Sequence, residues 1–534
     1  MKQNRGIKEQ SMAKGFAVLS IASILVKVLS LFFIPLIRSL MGGSAGYQVY
    51  YSAYQVFAFV YLLATAGLPV AISKVVTELT TSSDHRKSKE AFTIARNAML
   101  IIGLALSLLL LLLSKPIARW TGYEESWLGI AVIAPNILLC SILSAYRGYL
   151  QGLKNMTPTA ISQIAEQCVH LFVSIIFVLL FKSKGVVWMV AGASIGTVAG
   201  SVVALLVVYR YYRLQCMSDR YKTVICSGEN PSEERRRYTQ LLLRYSIPIT
   251  LSAAIQYGGN MIDVFIVKGR LLAAGLLDNV AETYHGDLSA ARQLINVPSS
   301  LVTALCVSCL PIIAGLYARK KYQDASKRSE YAFKLCFMVA VPCSVAMCAF
   351  AKPIYQLLGF GGHYQMLMYM SISVLFMGVV HIQSSIMQSV NLLYISAAYM
   401  GVSVVVKAIL NYILIGIPAL NIYGAVLSTY ISYLIPIVLN DRMLRMKRGI
   451  RIHLLSVIAP SVVSSAVMLV PSIPVYILLT SLIGSSYFAN LVAFGCSGVL
   501  ALVAYLIAMK KLGGISKEDV DSISPRISKI LRLK

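Results

Sequence analysis

The stretch MLIIGLALSLLLLLLSKPIARWTG, residues 99–122, decides the fold. From Met99 to Leu113 it contains no charged residue. About 20 apolar residues in a helix cross a bilayer core. Read back to Phe92 and on to Ser114, the run is one membrane-crossing helix, because a strand in lipid would leave its backbone groups unpaired. It ends on Lys115-Pro116-Ile117, and the same triplet returns as Lys352-Pro353-Ile354.

The rest of the chain has the same character. Of 534 residues only 13% are charged, about half the usual ~25% of globular proteins. Apolar residues make up 57%, enough for about fourteen crossings of roughly 20 residues each. This composition excludes a soluble enzyme, a secreted disulfide scaffold and a disordered chain. The pattern predicts helices at 16–40, 47–74, 92–114, 128–152, 160–182, 186–212, 242–268, 290–317, 331–351, 364–391, 396–417, 421–441, 453–474 and 486–509. Prolines 35, 69, 135, 248, 311, 342, 436 and 460 fall inside them as candidate kinks. The first apolar run is longer than the core of a signal peptide, so no cleaved leader is expected. The ten cysteines lie mostly within apolar runs, and Cys306-x-x-Cys309 has no second ligand pair; these read as small hydrophobes rather than a metal or redox centre.

The net charge of +27 follows from topology. With the N-terminus inside, the inner segments carry 37 Lys and Arg and the outer segments nine, while Lys27 and Lys407 lie mid-helix. That asymmetry predicts both termini in the cytoplasm and removes the need for a nucleic-acid partner. Arg235-Arg236-Arg237 reads either as a headgroup contact or as a solvated loop. In the basic tail, Ile523, Ile527, Ile530 and Leu531 have the spacing of a surface helix.

The KPI triplets belong to an internal repeat. Gly122 and Gln151 match Gly359 and Gln388 at the same offset of 237 residues. Leu68-Pro69 matches Leu310-Pro311, and Gly192-Ala193 matches Gly424-Ala425, at offsets of 242 and 232. The expected architecture is an all-α integral membrane protein of about fourteen helices. Two pseudo-symmetric six-helix lobes flank a central cavity, and a C-terminal helix pair is added. The expected divisions are an N-terminal lobe 1–212, a cytoplasmic linker 213–240, a C-terminal lobe 241–445, the extra helices 446–512 and a basic tail 513–534. Parallel repeats of this kind place substrates between the halves.

Ionisable side chains inside a membrane are functional candidates. Lys27, central in the first helix, faces a wet cavity or a carboxylate partner. Lys407 in the eleventh is similar. Arg38, Lys268 and Arg292 near outer helix ends either rim the same cavity or anchor the interface. Asp263 pairs with a cation or binds one. Glu166 and His170, one turn apart, read as a proton relay or as packed structural groups. Gln256 and Asn260 suit a sugar or a neighbouring helix. His381 reads as core. The positive balance favours an anionic substrate, phosphate above all. The longest outer loop, about 269–289, holds Asp278, Glu282, His285 and Asp287, which could serve a membrane glycosyltransferase as acids and bases, although no recognisable motif contains them. No nucleotide-binding loop is present, and no cofactor or metal is expected.

Two strings carry a resemblance: GLPVAISK at 67–74 and RGYLQGLKNMTPTAISQIAEQ at 147–167. They resemble the prokaryotic polysaccharide transporter branch of the multidrug/oligosaccharidyl-lipid/polysaccharide (MOP) exporter superfamily, and within it the stage V sporulation protein B group and the MurJ-type lipid II flippases. The resemblance implies a flippase for undecaprenyl-pyrophosphate-linked sugars in cell-wall, spore or surface polysaccharide synthesis, and not an enzyme. It implies a cationic cavity with arginines on helices 1, 2 and 8, and a lipid-tail groove formed by the last helix pair. Lys27 and Arg292 occupy the first and third of these places, whereas 47–73 contains no Lys or Arg. The implied partners are a lipid-linked oligosaccharide, membrane lipids and cell-wall synthesis enzymes, with the protein a monomer in the bacterial cytoplasmic membrane. The rival readings are a cation-coupled drug or small-solute antiporter, a membrane glycosyltransferase or ligase, and an assembly partner that transports nothing.

Overall fold

The computed structural model describes residues 12–81, 85–219, 231–360, 362–390, 392–448, 454–484 and 487–514. The expected tail helix at 523–531 and the middle of the expected linker, 220–230, lie outside them, as do the side chains of Arg235, Gln256, Cys306 and Cys309. Among the described residues the regular structure is entirely helical.

The chain forms two compact units. The first runs to Gly286 and also takes in Asn411–Asn421. It contains α1 (Met12–Leu40), α2 (Ser44–Thr65), α3 (Leu68–Thr81), α4 (His85–Leu112), α5 (Ser114–Trp120), α6 (Trp127–Ile133), α7 (Pro135–Gly152), α8 (Thr157–Phe181), α9 (Val186–Asp219), α10 (Pro231–Ala273) and the first turns of α11 (Asp278–Ala318). The second holds the remainder of α11, then α12 (Tyr322–Ala349), α13 (Ala351–Leu357), α14 (Gln365–Met370), α15 (Ser373–Ser389), most of α16 (Leu393–Ile415), α17 (Tyr423–Arg448), α18 (Leu454–Ile483) and α19 (Tyr487–Lys511).

Eleven spans among the described residues are long and apolar enough to cross a membrane. The long helices α1, α10 and α11 occupy the other three expected positions. Pro69 and Pro135 start helices rather than kinking them: Pro69 is the second residue of α3 and Pro135 the first of α7, where a missing N–H costs nothing. The helix expected at 47–74 is therefore two helices, broken at Ala66-Gly67, and the second continues seven residues past Lys74.

The first unit's core gathers Ile72, Val76, Phe92, Met99, Tyr149 and Leu150, from α3, α4 and α7. Small residues set the helix spacing. A side chain on Gly148 would meet the Pro69 backbone, and one on Gly152 would meet Val76 and the Ser73 carbonyl. The two strings that carry the resemblance thus pack directly on each other. The Thr77 hydroxyl donates to the Gly152 carbonyl at 2.9 Å across the same contact. Gly192, Gly196 and Gly200 form a second stripe, one per turn, which brings α9 onto the backbone of α8. The second unit packs α12, α18 and α19 around Met468, Ala501, Tyr505 and Met509. There the Tyr505 hydroxyl donates to the Met338 carbonyl at 3.0 Å.

Candidate functional site

Lys27 lies near the middle of α1, a 29-residue helix. Its side chain is exposed, and among the described residues it has no hydrogen bond or ion pair. Ala22, Phe33 and Ile37 of the same helix are buried instead; α1 packs on α8, where the Phe33 ring centre sits 4.7 Å from that of His170. Arg38 is eleven residues from Lys27, which is three turns and about 16.5 Å along the same helix face. Unlike Lys27 it is buried, and its guanidinium donates to the Ser44 hydroxyl at the start of α2.

Two other membrane charges of the first unit are paired with each other. On α7, Arg147 pairs with Glu166 of α8 at 2.8 Å and donates to the Ser162 hydroxyl at 3.0 Å. Ser201 of α9 donates to the second oxygen of Glu166 at 3.1 Å. Glu166 is therefore bound to an arginine, and no hydrogen bond joins it to His170. The local fold creates this pair. Lys154 adopts φ +58° at the end of α7, and the Asn155 N–H returns to the Leu150 carbonyl at 3.1 Å. The Asn155 side chain then accepts the Thr157 N–H, so α8 begins within five residues and runs back alongside. Arg147 lies in the last turns of α7. The clue to its partner was in the sequence, since Arg147 and Glu166 stand at opposite ends of one motif.

Asp263 of α10 is buried and accepts a 2.5 Å hydrogen bond from Asn411 at the end of α16. Nearby, the Arg270 guanidinium lies 4.1 Å from the centre of the Tyr412 ring. Asn260 is half-buried one turn before Asp263. Gln256 shares that helix. In the second unit Lys407 is buried on α16, while Arg292 is half-buried on α11.

Lys268 forms the centre of a clasp at the end of α10. Its ammonium contacts Glu282 at 2.7 Å and Asp278 at 3.1 Å, and donates to the Gly122 carbonyl at 2.7 Å. It also lies 4.6 Å from the centre of the Tyr123 ring. Tyr123 in turn is hydrogen-bonded to His285 Nδ1 at 2.7 Å. Burial first, and then the Glu282 carboxylate, hold the Tyr123 phenol well above its ordinary pKa, so it stays neutral. Within the second unit, Asp287 is buried and contacts His363 Nδ1 at 2.8 Å. All four outer-loop acids and bases thus have partners, and Lys268 is already matched by two carboxylates.

One cation was missed. Lys74, the last residue of the second expected helix, lies within α3, exposed, with its ammonium 3.8 Å from the centre of the Tyr245 ring. The break at Ala66-Gly67 and the continuation of α3 place a positive charge on the segment that read as uncharged. Among the described residues no group of three or more His, Cys, Asp and Glu has the arrangement of a metal site.

This architecture has known relatives. A family model described as "Polysaccharide biosynthesis protein" matches residues 12–317, more than half of the chain. Stage V sporulation protein B of Bacillus subtilis (strain 168) is 27% identical over 66% of this chain and 67% of its own length. Lipid II flippase MurJ of the same organism is 23% identical over 64% of this chain and 65% of that one. Among solved structures, lipid II flippase MurJ in an inward closed conformation matches with a TM-score of 0.66 at 15% identity, over 93% of this chain and 99% of that one. An inward-facing multidrug resistance MATE family transporter of the MOP superfamily gives 0.65 at 15% identity, over 80% and 98%. At such identities the structures speak to fold. The family match reaches from α1 into α11, across the packed motifs and the Arg147–Glu166 pair. The chain belongs to the polysaccharide biosynthesis protein family and is a multi-pass membrane protein.

Proposed function

We propose that this protein is a flippase that carries undecaprenyl-pyrophosphate-linked saccharides from the inner to the outer leaflet by alternating access. Lys27 is the observation that carries the reading. An exposed ammonium in the middle of a membrane helix, without an ion pair among the described residues, suits an anionic ligand that comes and goes. A phosphate-bearing headgroup is such a ligand. The family match and the likeness to lipid II flippase MurJ support the class of cargo.

In this reading the chain crosses the membrane fourteen times with both termini inside, in two six-helix lobes plus a final pair. The pyrophosphate enters from the cytoplasmic side and is screened by Lys27, with Lys74 as a further contact. Screening removes part of the cost of taking its charge across the membrane. The lipid tail stays in the bilayer while the lobes rock. Arg38 and Lys268 hold helix ends in place, and Asn260, Gln256 and Lys407 remain candidates for sugar or ion contacts. The membrane acids Asp263 and Glu166 are tied to Asn411 and Arg147, which speaks against a proton-coupled exporter of cations. The partnered outer-loop acids likewise speak against a glycosyltransferase.

The test is flipping in reconstituted vesicles, following outer-leaflet exposure of a fluorescent undecaprenyl-pyrophosphate-linked saccharide. Lys27→Ala lowers the rate about tenfold or more, the loss expected for one hydrogen bond to a charged group, and Lys27→Arg recovers most of it. A wild-type rate in Lys27→Ala removes Lys27 from the mechanism. Folded wild-type protein that moves none of several headgroups overturns the flippase reading.

A further inference from the structure

Seven of the 22 residues of α2 are aromatic, and none is charged. Their rings form a ladder. The ring centres of Tyr50 and Tyr54, of Tyr54 and Phe57, and of Phe57 and Tyr61 stand 6.1, 6.0 and 5.8 Å apart. Tyr50 and Phe57 are buried, whereas Tyr54 and Tyr61 are half-buried. Seven residues apart, these two lie two turns along one helix face, with Phe57 against both rings. Their hydroxyl ends border charged groups. Both lie within electrostatic reach of Glu166, and Tyr61 also of Arg147. On α10, which packs on α2, the Tyr257 hydroxyl reaches that of Tyr54, and 44% of Tyr257 is exposed.

The ion pair beside these rings has hydrogen-bonding capacity to spare. Glu166 accepts one hydrogen bond on each oxygen, from Arg147 and from Ser201, where a carboxylate takes about four. Arg147 donates through Nε and one terminal nitrogen of a fork with about five N–H groups. The Glu166 side chain is 27% exposed and that of Arg147 13%, so a ligand can reach both. Polar groups at a fixed spacing beside flat rings suit a pyranose. The pair meets neighbouring hydroxyls, while the apolar C–H face of the sugar lies on the electron-rich face of a ring. The pair also stands level with Lys27. In the proposed topology α1 and α8 run in the same direction, and Phe33 meets His170 between them. Lys27 is six residues before Phe33, about 9 Å along its helix, and Glu166 four residues before His170, about 6 Å.

We propose that Tyr54, Tyr61 and Tyr257, with the Arg147–Glu166 pair, form a saccharide subsite that holds the first pyranose of the cargo while Lys27 screens its pyrophosphate. This rests on the flippase reading and concerns the part of the cargo that the phosphate contact leaves unread. The tyrosine rings take the C–H faces of the sugar, and Glu166 and Arg147 take its hydroxyls. The two charges cancel, so the subsite is neutral overall and fits a neutral sugar, in contrast to the lone cation at Lys27.

Native mass spectrometry of the full chain with two lipids tests this: undecaprenyl pyrophosphate alone, and the same lipid carrying one N-acetylglucosamine. Wild type holds the saccharide-bearing lipid about tenfold better, as one hydrogen bond to a charged group implies. Tyr54→Leu and Tyr61→Leu each lower its affinity about three- to tenfold and leave that of the sugar-free lipid unchanged. Tyr54→Phe, which keeps the ring, stays near wild type. Lys27→Ala weakens both lipids alike. The double variant Arg147→Met with Glu166→Met leaves no charge unmatched and loses the preference for the sugar. Should that variant not fold, Tyr54→Leu and Tyr61→Leu decide. Equal affinity of wild type for the two lipids overturns the subsite and leaves the flippase reading standing, as does a preference that survives both leucine variants. Folded wild type that binds neither lipid overturns the flippase reading, and the subsite with it.

Discussion

The two copies of the KPI triplet make the same object from different neighbours. Lys115-Pro116-Ile117 lies in α5 and Lys352-Pro353-Ile354 in α13, both seven-residue helices. Each closes on a glycine with positive φ, Gly122 at +74° and Gly359 at +64°. The hydrogen bonds also match: Tyr123 N–H to the Ala118 carbonyl in one copy, Phe360 N–H to the Tyr355 carbonyl in the other. The following aromatic is buried in both. Beyond that point they part. Tyr123 joins a polar clasp with His285 and Lys268, whereas Phe360 meets the edge of the Tyr355 ring. The inner turns repeat the lesson. Asn155 N–H returns to the Leu150 carbonyl, and 237 residues later Leu392 N–H returns to the Met387 carbonyl. Arg147, however, has its ion pair with Glu166, while Ser384 at the corresponding place accepts a hydrogen bond from the Ser396 hydroxyl. The backbone devices are alike at the two places, and the side-chain contacts around them differ.

Breaking the charged clasp of the first copy gives the largest expected effect on stability. Glu166→Gln leaves the Arg147 guanidinium without its counter-ion and lowers stability by about 1–3 kcal/mol, read as thermal melting in detergent. Adding Arg147→Met to Glu166→Met recovers much of the loss, because no buried charge is then left unmatched. A double variant as unstable as the sum of the singles would show that the two residues act separately. Next in size, Gly122→Ala and Gly359→Ala each cost about 1–2 kcal/mol, the penalty for a side chain in the left-handed region. Their near equality sharpens the comparison, and a cost in only one copy breaks it. Smallest is Ser384→Ala, which loses one neutral hydrogen bond and shifts stability by about 1 kcal/mol or less. A loss as large as that of Glu166→Gln would mean that charge is not what separates the copies.

Much of the fold was legible because apolar run length and lipid leave few choices. The run at 99–113 becomes α4, and the KPI repeat becomes two identical turns. The motif strings were legible as a resemblance, but that they touch was not: Gly148 on Pro69 is a contact between helices that sequence spacing does not reveal. Ion pairs were the least legible feature. Arg147 and Glu166 are nineteen residues apart, and only a turn set by Lys154 and Asn155 brings them together. Lys268 read as a cavity cation because its partners, Asp278 and Glu282, lie past a change of chain direction. Lys74 ends the helix expected at 47–74, whereas Pro69 stands at the start of a new helix that runs seven residues beyond the lysine.

The tight α7–α8 turn bears on how the chain gets into the bilayer during synthesis. A charged side chain in a helix inserting alone is costly, at most about 2.5–3.5 kcal/mol for a position at the helix centre, and α7 and α8 carry one of each sign. Joined through so short a link, they can leave the insertion machinery together, as a hairpin whose two charges cancel before either meets lipid. Lengthening that link would separate the helices in time, and the defect would appear in biogenesis before any effect on activity.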